Sequence, residues 1–322
     1  MQQRDHELAL ASIAEVVRTG LRRGPRSLPP WLFYDDPGSA LFEAITELPE
    51  YYLTRVERSI FAARGAAIMA AAGHGADATV IELGAGTARK TELLLAAGRT
   101  RRYVPVDVAP EPLALAQARL AVTLPALVVT PWVATHEAAF PHLPSLPGPR
   151  VALFIGSSIG NYEPAEARAL LRGLRGGLAA GDALVLGVDL VKDAATLVAA
   201  YDDAAGVTAA FNRNLLTRLN RELGADFELS RFRHVALWNA ARSRIEMHLE
   251  SLVAQRVNLP GCDLTIDLAA GERIHTESSM KYTPAAVDDL VRAAGFTVDV
   301  DFTDPEARFA VVVCTAREPS PA

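Results

Sequence analysis

The stretch VIELGAGTARKTELLL, from Val80 to Leu95, places a glycine-rich turn between an apolar run and a helical pattern. A strand, such a turn and then a helix are typical of nucleotide-like ligand sites, because glycine lets the backbone approach a ligand closely. The glycines are Gly84 and Gly86, whereas Arg89 stands where a dinucleotide fingerprint requires a third glycine. The turn therefore predicts a ligand site and argues against NAD or FAD.

An acid ends the next apolar run, YVPVDV, at Asp107. In this position of an α/β unit, a carboxylate accepts hydrogen bonds from ribose hydroxyls. A ligand with a ribose but without phosphates fits both features, and S-adenosylmethionine is the common one. The alternative is a plain strand–helix turn followed by a surface acid.

Short apolar runs alternate with helical patterns from Ala78 to Leu190. The strand-like runs are ATVIELGAG, RRYVPVDVA, ALVVTPWVA, RVALFIGSSIGN and DALVLGVDLV. Two more, FTVDVDFT and RFAVVVCTA, lie near the end of the sequence. This alternation predicts an α/β fold with a doubly wound, mostly parallel sheet that has helices on both faces.

The segment between Lys192 and Thr283 has a different character. Its first part, AATLVAAYDDAAGVTAAFNRNLLTRLNREL, predicts one long helical run. The later RIEMHLE and DLTIDLAAGE alternate apolar and polar residues with a period of two. They predict antiparallel hairpins of an inserted, partly β domain.

The composition restricts the function classes. The chain has 322 residues, half of them hydrophobic, and a net charge of −6, so it lacks the basic footprint of a nucleic-acid-binding protein. Two cysteines cannot make a disulfide framework, and seven scattered histidines without a His-x-x-x-His pair predict no metal site.

The first residues, MQQRDHELALASIAEVV, predict an amphipathic helix rather than a signal peptide, and no apolar run reaches the roughly eighteen residues of a membrane span. We expect a cytoplasmic protein with a small-molecule substrate, no nucleic-acid or membrane partner, and no obligatory protein partner.

Several polar residues are candidates for substrate contacts. Asn161, in FIGSSIGNYEP, follows the fourth strand and offers both a donor and an acceptor; its alternative is a turn residue before the helix that Pro164 opens. The other candidates lie in three stretches. In ELPEYYLTRVE, packing of the two tyrosines is more frequent than ligand contact; in VAAYDD, solvation is the default for the acids; in HTESSMKY, a turn or a cap is an equally good interpretation. GSSIG, from Gly156 to Gly160, has the letters of a Gly-x-Ser-x-Gly elbow but no evident histidine partner, so acyl transfer is disfavoured.

The segments taken together resemble one family. FYDDPGSALFEAITELPEYYLTR, IELGAGTARKT, FIGSSIGN, DLVKD, AYDDAAGVTAAFNRN, RIEMHL and TESSMKY occur in the order seen in histidine-specific Nα-methyltransferases of the ergothioneine pathway. The resemblance extends from about Ser27 to the end, and AYDDAAGVTAAFNRN is its most specific part.

The resemblance implies a fold and an activity. The fold is a class I S-adenosylmethionine methyltransferase domain, residues 56–191 with 283–322, and an α+β histidine-binding domain, residues 1–55 with 192–282. The activity is transfer of methyl groups to the α-amino nitrogen of free L-histidine. Three successive transfers give trimethylhistidine (hercynine), a step of ergothioneine biosynthesis.

The resemblance also implies roles for individual residues. Tyr34 lies near the reacting amine, Tyr51 faces the imidazole, and Asn161 and Tyr201 hold the α-amino and carboxylate groups. The residues implied around the imidazole ring are Met247, Glu277, Ser278 and Ser279. The residues implied to contact the cofactor are Gly84, Gly86, Lys90 and Asp107.

One stretch departs from the family pattern. The family has Gly-Asp-Phe after the third strand, where the acid takes the adenine amino group, but here the matching stretch is VATHEAAF. This puts His136 and Glu137 at about that place, and either side chain can accept a hydrogen bond.

Three alternatives remain beside histidine methylation. The substrate could be another free amino acid such as tryptophan. The same sheet topology also carries nicotinamide-dependent oxidoreductases, against which Arg89 argues. A non-catalytic ligand-binding module is disfavoured by the joint presence of Asn161, Tyr201 and Glu277.

Overall fold

The computed structural model describes residues 13–73 and 77–318. They fall into two compact units. Of the described residues, the larger unit comprises 53–73, 77–191 and 280–318, and the smaller unit comprises 13–52 and 192–279. Residues 13–21 are helical, whereas the first twelve residues of the predicted N-terminal helix lie outside the described residues.

The elements are numbered in chain order. The helices are α1 (residues 13–21), α2 (Asp36–Thr46), α3 (Tyr52–Ala71), α4 (Thr91–Ala97), α5 (Pro110–Thr123), α6 (His136–Ala139), α7 (Pro164–Gly177), α8 (Ala194–Ala199), α9 (Val207–Leu223) and α10 (Pro284–Ala293). The strands are β1 (Arg26–Ser27), β2 (Thr79–Leu83), β3 (Arg102–Asp107), β4 (Val128–Val129), β5 (Trp132–Val133), β6 (Arg150–Phe154), β7 (Ala183–Asp189), β8 (Phe232–Asn239), β9 (Arg244–Ser251), β10 (Gln255–Leu259), β11 (Leu264–Leu268), β12 (Arg273–Met280), β13 (Phe296–Thr303) and β14 (Phe309–Ala316).

The larger unit is built on one sheet with the order β13-β14-β7-β6-β2-β3-β4, and β5 also pairs with β3. Strands β2, β3, β6 and β7 run parallel to one another, whereas β14 runs antiparallel to both of its neighbours, β7 and β13. The predicted mostly parallel, doubly wound sheet is confirmed. Because the chain leaves β2 towards β3 on one side and returns to β6 on the other, the crevice for a ligand lies at the carboxyl end of β2.

The central strands are buried over their whole length. Every residue of β2 and β7 is buried, as expected for parallel strands with helices on both faces. The core around them includes Phe154 of β6, Leu186 of β7 and Leu174 of α7. These apolar contacts hold the carboxyl ends of the strands in fixed positions.

The third predicted strand, ALVVTPWVA, is broken in the structure. It forms β4 and β5, two residues each, both paired with β3. Pro131 lies between them and has no N–H to give to the sheet, so continuous pairing stops there.

The smaller unit contains a sheet with the order β1-β12-β9-β8 and a separate β10–β11 hairpin. Strands β8 and β9 are antiparallel, as are β10 and β11, which confirms the predicted hairpins. Ile245, Met247 and Leu249 are buried on one face of β9, as the period of two predicts.

The predicted long helix is wrong at its centre. It divides into α8 and α9, because residues 200–206 form a turn that ends at Gly206 with a φ of 74°. The Asp203 carboxylate accepts hydrogen bonds from the N–H groups of Val207 (2.9 Å) and Thr208 (2.7 Å) and so starts α9. Local side-chain capping therefore outweighs the continuous helical pattern.

Two searches of the described residues gave negative results. Across residues 13–73 and 77–318, no helix has the length and apolarity needed to traverse a bilayer. In the same part of the chain, no three His, Cys, Asp or Glu side chains are grouped so that they could hold a metal ion.

A buried ion pair joins β7 to the segment after β12. The Lys281 Nζ atom lies 2.8 Å from Oδ2 of Asp189, and neither side chain is exposed to solvent. The backbone supports this junction, since the Tyr282 N–H donates to the Asp189 carbonyl at 2.9 Å. Charges taken out of water require such pairing.

Lys281→Met is expected to lower the free energy of unfolding by about 3–5 kcal/mol, because it removes the ammonium group from the buried Asp189 carboxylate. Denaturant titration measures this loss. Arg292→Met is the control, since Arg292 pairs with Asp288 at the surface and should cost less than about 1 kcal/mol. Equal losses in the two variants would contradict the importance of the buried pair.

Candidate functional site

The glycine turn after β2 has the backbone geometry that its sequence predicts. Gly84 and Gly86 have φ values of 70° and 50°, in the left-handed region that favours glycine. The Gly84 N–H donates to the Val106 carbonyl at 2.9 Å, which holds the turn against β3. A Cβ atom on Gly86 would meet nothing within 4 Å, so the outer side of the turn is open to a ligand.

Asp107 supports this turn directly. Its Oδ2 atom accepts a hydrogen bond from the Gly86 N–H at 2.9 Å, and its Oδ1 atom accepts one from the Ala109 N–H at 3.0 Å. The side chain is half-buried at the end of β3. A carboxylate has further lone pairs, so bracing the turn leaves capacity for additional donors such as hydroxyl groups.

His136 lies against the same turn. Its Nε2 atom is 3.6 Å from the position that a Cβ on Gly84 would take, and its Nδ1 atom is 3.2 Å from the Tyr162 hydroxyl. Burial lowers the pKa of His136, so the ring is neutral near pH 7 and one nitrogen can accept a hydrogen bond. Glu137, the next residue on α6, is exposed. Tyr162, whose pKa is raised to about 12 by burial, was not recognised from the sequence.

A second buried carboxylate lies inside the quoted motif. Glu82 of β2 is 2% exposed, accepts a hydrogen bond from Thr91 Oγ1 at 2.8 Å, and accepts another from the Tyr103 hydroxyl. Burial raises the pKa of Glu82 from 4.5 to about 7, against the opposing effect of the two hydrogen bonds. Glu82 thus ties β2 to β3 and to the helix that follows the turn.

Lys90 lies at the N-cap of α4. Its ammonium group pairs with Glu57, a residue of α3 that was not singled out from the sequence. The partner of Lys90 is distant in the chain, so no local sequence pattern pointed to it.

Asn161 is the last residue of a short 3-10 helix, Ser158–Asn161, that follows β6. The loop before it contains Gly156 and Ser157 with φ values of 79° and 58°. Because β2 and β6 are parallel neighbours, Asn161 and the glycine turn lie at the same edge of the sheet.

In the smaller unit, aromatic rings bring three predicted residues together. Tyr34 packs edge-on against Phe42 at 5.6 Å and Phe211 at 5.9 Å between ring centroids. Phe42 contacts Tyr51 at 6.3 Å, and Tyr51 contacts Tyr201 at 6.1 Å. Tyr34 remains 40% exposed, so part of its ring is accessible to a ligand.

Tyr201 is held at both ends. Its hydroxyl lies 2.7 Å from Ser279 Oγ, and its carbonyl oxygen lies 2.7 Å from Nε2 of His234. The Asn212 amide nitrogen lies 2.8 Å from the other ring nitrogen of His234. A neutral His234 with its proton on Nε2 satisfies both contacts, and burial lowers the pKa of His234 accordingly. His234 and Asn212 were missed from the sequence.

Asp35 anchors the residue before it, Tyr34, to α9. Its carboxylate accepts hydrogen bonds from the Gly38 N–H (2.8 Å), the Asn214 amide (2.7 Å) and Arg221 (2.7 Å). Burial alone would raise the pKa of Asp35, but these donors outweigh it and lower the pKa. The same carboxylate caps α2.

Strand β12 carries the remaining predicted residues. Glu277 is half-buried, while Ser278 has its hydroxyl 3.0 Å from Nε2 of His275. Met247 is 1% exposed on β9, and its carbonyl accepts a hydrogen bond from Thr276 Oγ1 at 3.1 Å. The structure therefore groups Tyr34, Tyr51, Tyr201 and Ser279 in one cluster, whereas Ser278 bonds to a histidine of its own strand.

The sheet order with its antiparallel β14, together with the two-glycine turn and the acid that braces it, defines a class I S-adenosylmethionine-dependent methyltransferase. Residues 13–316 match the model of the family described as histidine-specific methyltransferase, SAM-dependent. The chain belongs to this family. Membership removes the nicotinamide-dependent oxidoreductase from the alternatives.

Individual relatives agree with the family match. The chain is 47% identical over 310 residues to the histidine N-alpha-methyltransferase of Mycolicibacterium smegmatis. The aligned region covers 94% of this chain and 95% of the relative. It is 47% identical over 285 residues to the protein of the same name from Mycobacterium tuberculosis, with 87% of each chain covered. It is 34% identical over 214 residues to ergothioneine biosynthesis protein 1 of Neurospora crassa, covering 62% of this chain and 23% of that protein.

The residues of the larger unit fit the methyl donor of this family. The outer side of the turn has room at Gly86, Asp107 has lone pairs to accept ribose hydroxyls, and His136 presents a neutral ring nitrogen. These three features match a ligand that has a ribose and a base.

Glu82→Gln is expected to flatten the dependence of stability on pH. Because the folded-state pKa of Glu82 is raised from 4.5 to about 7, its stabilising contribution is complete below pH 4.5 and is lost as the pH rises through about 7. The wild type should lose about 3 kcal/mol more than the variant across this range.

Denaturant titration from pH 4.5 to 8 checks this, with Glu111→Gln, at an exposed position, as the control for loss of one carboxylate. Parallel curves for the wild type and Glu82→Gln would show that Glu82 does not titrate there.

Proposed function

We propose that this protein transfers methyl groups from S-adenosylmethionine to the α-amino nitrogen of free L-histidine. The observation that carries the proposal is the identity of nearly half of all aligned residues with the mycobacterial histidine N-alpha-methyltransferases, over almost the full length of both chains. We further propose three successive transfers that give trimethylhistidine, as a step of ergothioneine biosynthesis.

In this proposal the donor is held by residues of the larger unit. Gly84 and Gly86 let the backbone approach it, Asp107 accepts its ribose hydroxyls, and Lys90 lies beside it. His136 and Glu137 take the place of the acid that receives the adenine amino group. When bound, S-adenosylmethionine supplies a methyl group already activated on a sulfonium, so the chain needs to align the reactants rather than to activate them.

The nucleophile must be an amine that has lost its proton, whereas a free α-amine is mostly protonated at neutral pH. The Asn161 amide can accept a hydrogen bond from this amine, while Tyr201 holds the carboxylate through its hydroxyl. No strong base is required, because water can take the proton. The contacts of Tyr201 with Ser279 and His234 support this role, since they fix the phenol ring and its backbone.

The product is more cationic than the neutral amine that reacts, because full methylation leaves a permanent positive charge on nitrogen. The faces of Tyr34 and its aromatic neighbours can stabilise that charge through cation–π attraction. The exposed part of the Tyr34 ring supports this assignment.

Selection of the imidazole ring is assigned to Tyr51, Met247, Glu277, Ser278 and Ser279. The half-buried Glu277 carboxylate accepts a hydrogen bond from the imidazole N–H, and it would lose that partner with analogues that lack the donor. Beside the apolar Met247, this acceptor favours an imidazole-sized ring over the indole of tryptophan.

We also propose that the reaction takes place in the cytoplasm, on a small molecule and without an obligatory protein partner. Cys262 and Cys314 are both buried free thiols, which agrees with a reducing compartment. The net charge of −6 agrees with a small-molecule substrate rather than nucleic acid.

Incubation with histidine and isotopically labelled S-adenosylmethionine, followed by mass spectrometry, tests the proposed function. We expect histidine carrying three labelled methyl groups, with mono- and dimethyl forms at short times. A parallel incubation with tryptophan should give at most a trace of product. Unchanged histidine would overturn the proposal. If tryptophan were methylated and histidine were not, tryptophan would be identified as the substrate instead.

Glu277→Ala is expected to weaken histidine binding about tenfold or more, because a hydrogen bond to a charged acceptor is lost. Binding of S-adenosylhomocysteine should change by less than about twofold, since the acceptor serves the imidazole only. Titration calorimetry measures both. Glu277→Gln keeps an acceptor oxygen and should lie between the wild type and Glu277→Ala; equal losses for both ligands would contradict the role of Glu277.

A further inference from the structure

Glu57 is a charged residue in the interior of the larger unit. It lies on α3, and its side chain has no exposure to solvent. A carboxylate in such a place is costly unless a cation and hydrogen-bond donors satisfy it. The groups that satisfy Glu57 therefore indicate why it is there.

Two donors meet at the Glu57 carboxylate, one at each oxygen. Oε2 pairs with the ammonium group of Lys90, and Oε1 accepts a hydrogen bond from the Gly156 N–H at 2.7 Å. Lys90 lies 33 positions along the chain from Glu57, and Gly156 lies 99 positions along it. One side chain thus joins three separate segments.

The surrounding backbone leaves room for this carboxylate. A Cβ atom on Gly187 of β7 would overlap Oε1 of Glu57, and a Cβ atom on Gly156 would lie 2.9 Å from the Lys90 Nζ atom. Glycine at both positions lets the carboxylate and the ammonium group lie directly against the ends of β6 and β7. The site is therefore built for this pair.

One of the two segments that Glu57 joins belongs to the proposed donor site, and the other leads to the residue proposed to hold the reacting amine. Lys90 follows the glycine turn and begins α4, and Gly156 begins the loop that leads to Asn161. Both lie at the carboxyl edge of the sheet, where α/β proteins bind their ligands. The pairing fixes the position of the Lys90 ammonium group relative to that loop.

We propose that Glu57 is a positioning residue for the methyl donor: it holds the Lys90 ammonium group in place beside the glycine turn and fixes the Gly156 N–H of the neighbouring loop. The inference rests on the proposed function, in which Lys90 contacts the donor. Glu57 acts through Lys90 and does not touch the reacting atoms.

Glu57→Gln separates the two contacts of Glu57. The amide oxygen can still accept from the Gly156 N–H, so the loop keeps its position, but the neutral amide no longer holds Lys90 by charge. The dissociation constant of S-adenosylhomocysteine should rise about tenfold, and the KM for S-adenosylmethionine should rise with it. The KM for histidine should stay within about twofold, because the loop with Asn161 is unaffected.

A double-mutant cycle with Lys90→Met tests the route of the effect. If Glu57 acts through Lys90, the double variant should bind S-adenosylhomocysteine no more than about threefold more weakly than the weaker single variant, because the second change removes a contact already lost. Fully additive losses would overturn the inference, and so would an unchanged dissociation constant in Glu57→Gln.

Asp182→Asn is the matched control. Asp182 is another buried carboxylate. It accepts hydrogen bonds from the backbone N–H groups of Arg150 (2.9 Å) and Ala179 (2.8 Å), and it also forms an ion pair with the Arg150 guanidinium. It precedes β7 at the opposite edge of the sheet. Its neutral variant should lose stability without changing donor affinity beyond about twofold. An equal loss of donor affinity in this control would overturn the inference, since it would show a general effect of removing a buried charge.

If Glu57→Gln does not fold, as judged by thermal melting without ligand, Glu57→Asp replaces it. The shorter acid keeps the charge but cannot reach both Lys90 and Gly156, so the dissociation constant of S-adenosylhomocysteine should still rise about threefold. An unchanged dissociation constant would overturn the inference. Binding by the wild type is measured independently of histidine turnover. Wild type that binds S-adenosylhomocysteine but leaves histidine unmethylated contradicts the proposed function alone.

Discussion

A carboxylate that leaves water must find donors, and in the larger unit this requirement ties the loops to the sheet. Asp107 holds the glycine turn through Gly86, and Glu57 holds the loop after β6 through Gly156. Asp182 serves the opposite edge in the same way. The positions of these loops thus follow from satisfying carboxylates that are wholly or partly removed from water.

The smaller unit follows the same rule with different partners. Asp35 fixes the segment of Tyr34 to α9 through Asn214 and Arg221, and Asp203 starts α9 by accepting from two backbone N–H groups. His234 then holds the Tyr201 carbonyl by a neutral ring. Tyr201 is oriented by polar contacts at its carbonyl and its hydroxyl, and the rings of Tyr34, Tyr51 and Tyr201 pack against aromatic neighbours.

The elements that could be predicted from sequence are those governed by local periodicity. The parallel strands, the glycine turn and the β9 face of Ile245 and Met247 follow from burial patterns within a few residues. The break at Pro131 and the turn before Gly206 were missed, because in the folded chain a local backbone or capping effect outweighs the continuous apolar or helical pattern.

The site was predictable where family motifs covered it and unpredictable where its support came from elsewhere in the chain. Glu57 and Tyr162 lie inside stretches quoted from the sequence and His234 lies outside them, but none of the three was singled out, because each meets its partner only after folding. Single-sequence reasoning finds groups that are neighbours in the chain. It does not find a carboxylate on one helix that neutralises an ammonium group at the start of another.

The irregular edge strands of the large sheet affect how readily two molecules can associate at high concentration. At one end, β4 and β5 are two residues each and are separated by Pro131; at the other, β13 has a bulge between Val298 and Val300, next to Asp299 and Asp301. Neither end presents a long, flat row of unpaired backbone groups to another molecule. The same irregularities that disturb the strand pattern therefore guard the chain against edge-to-edge aggregation.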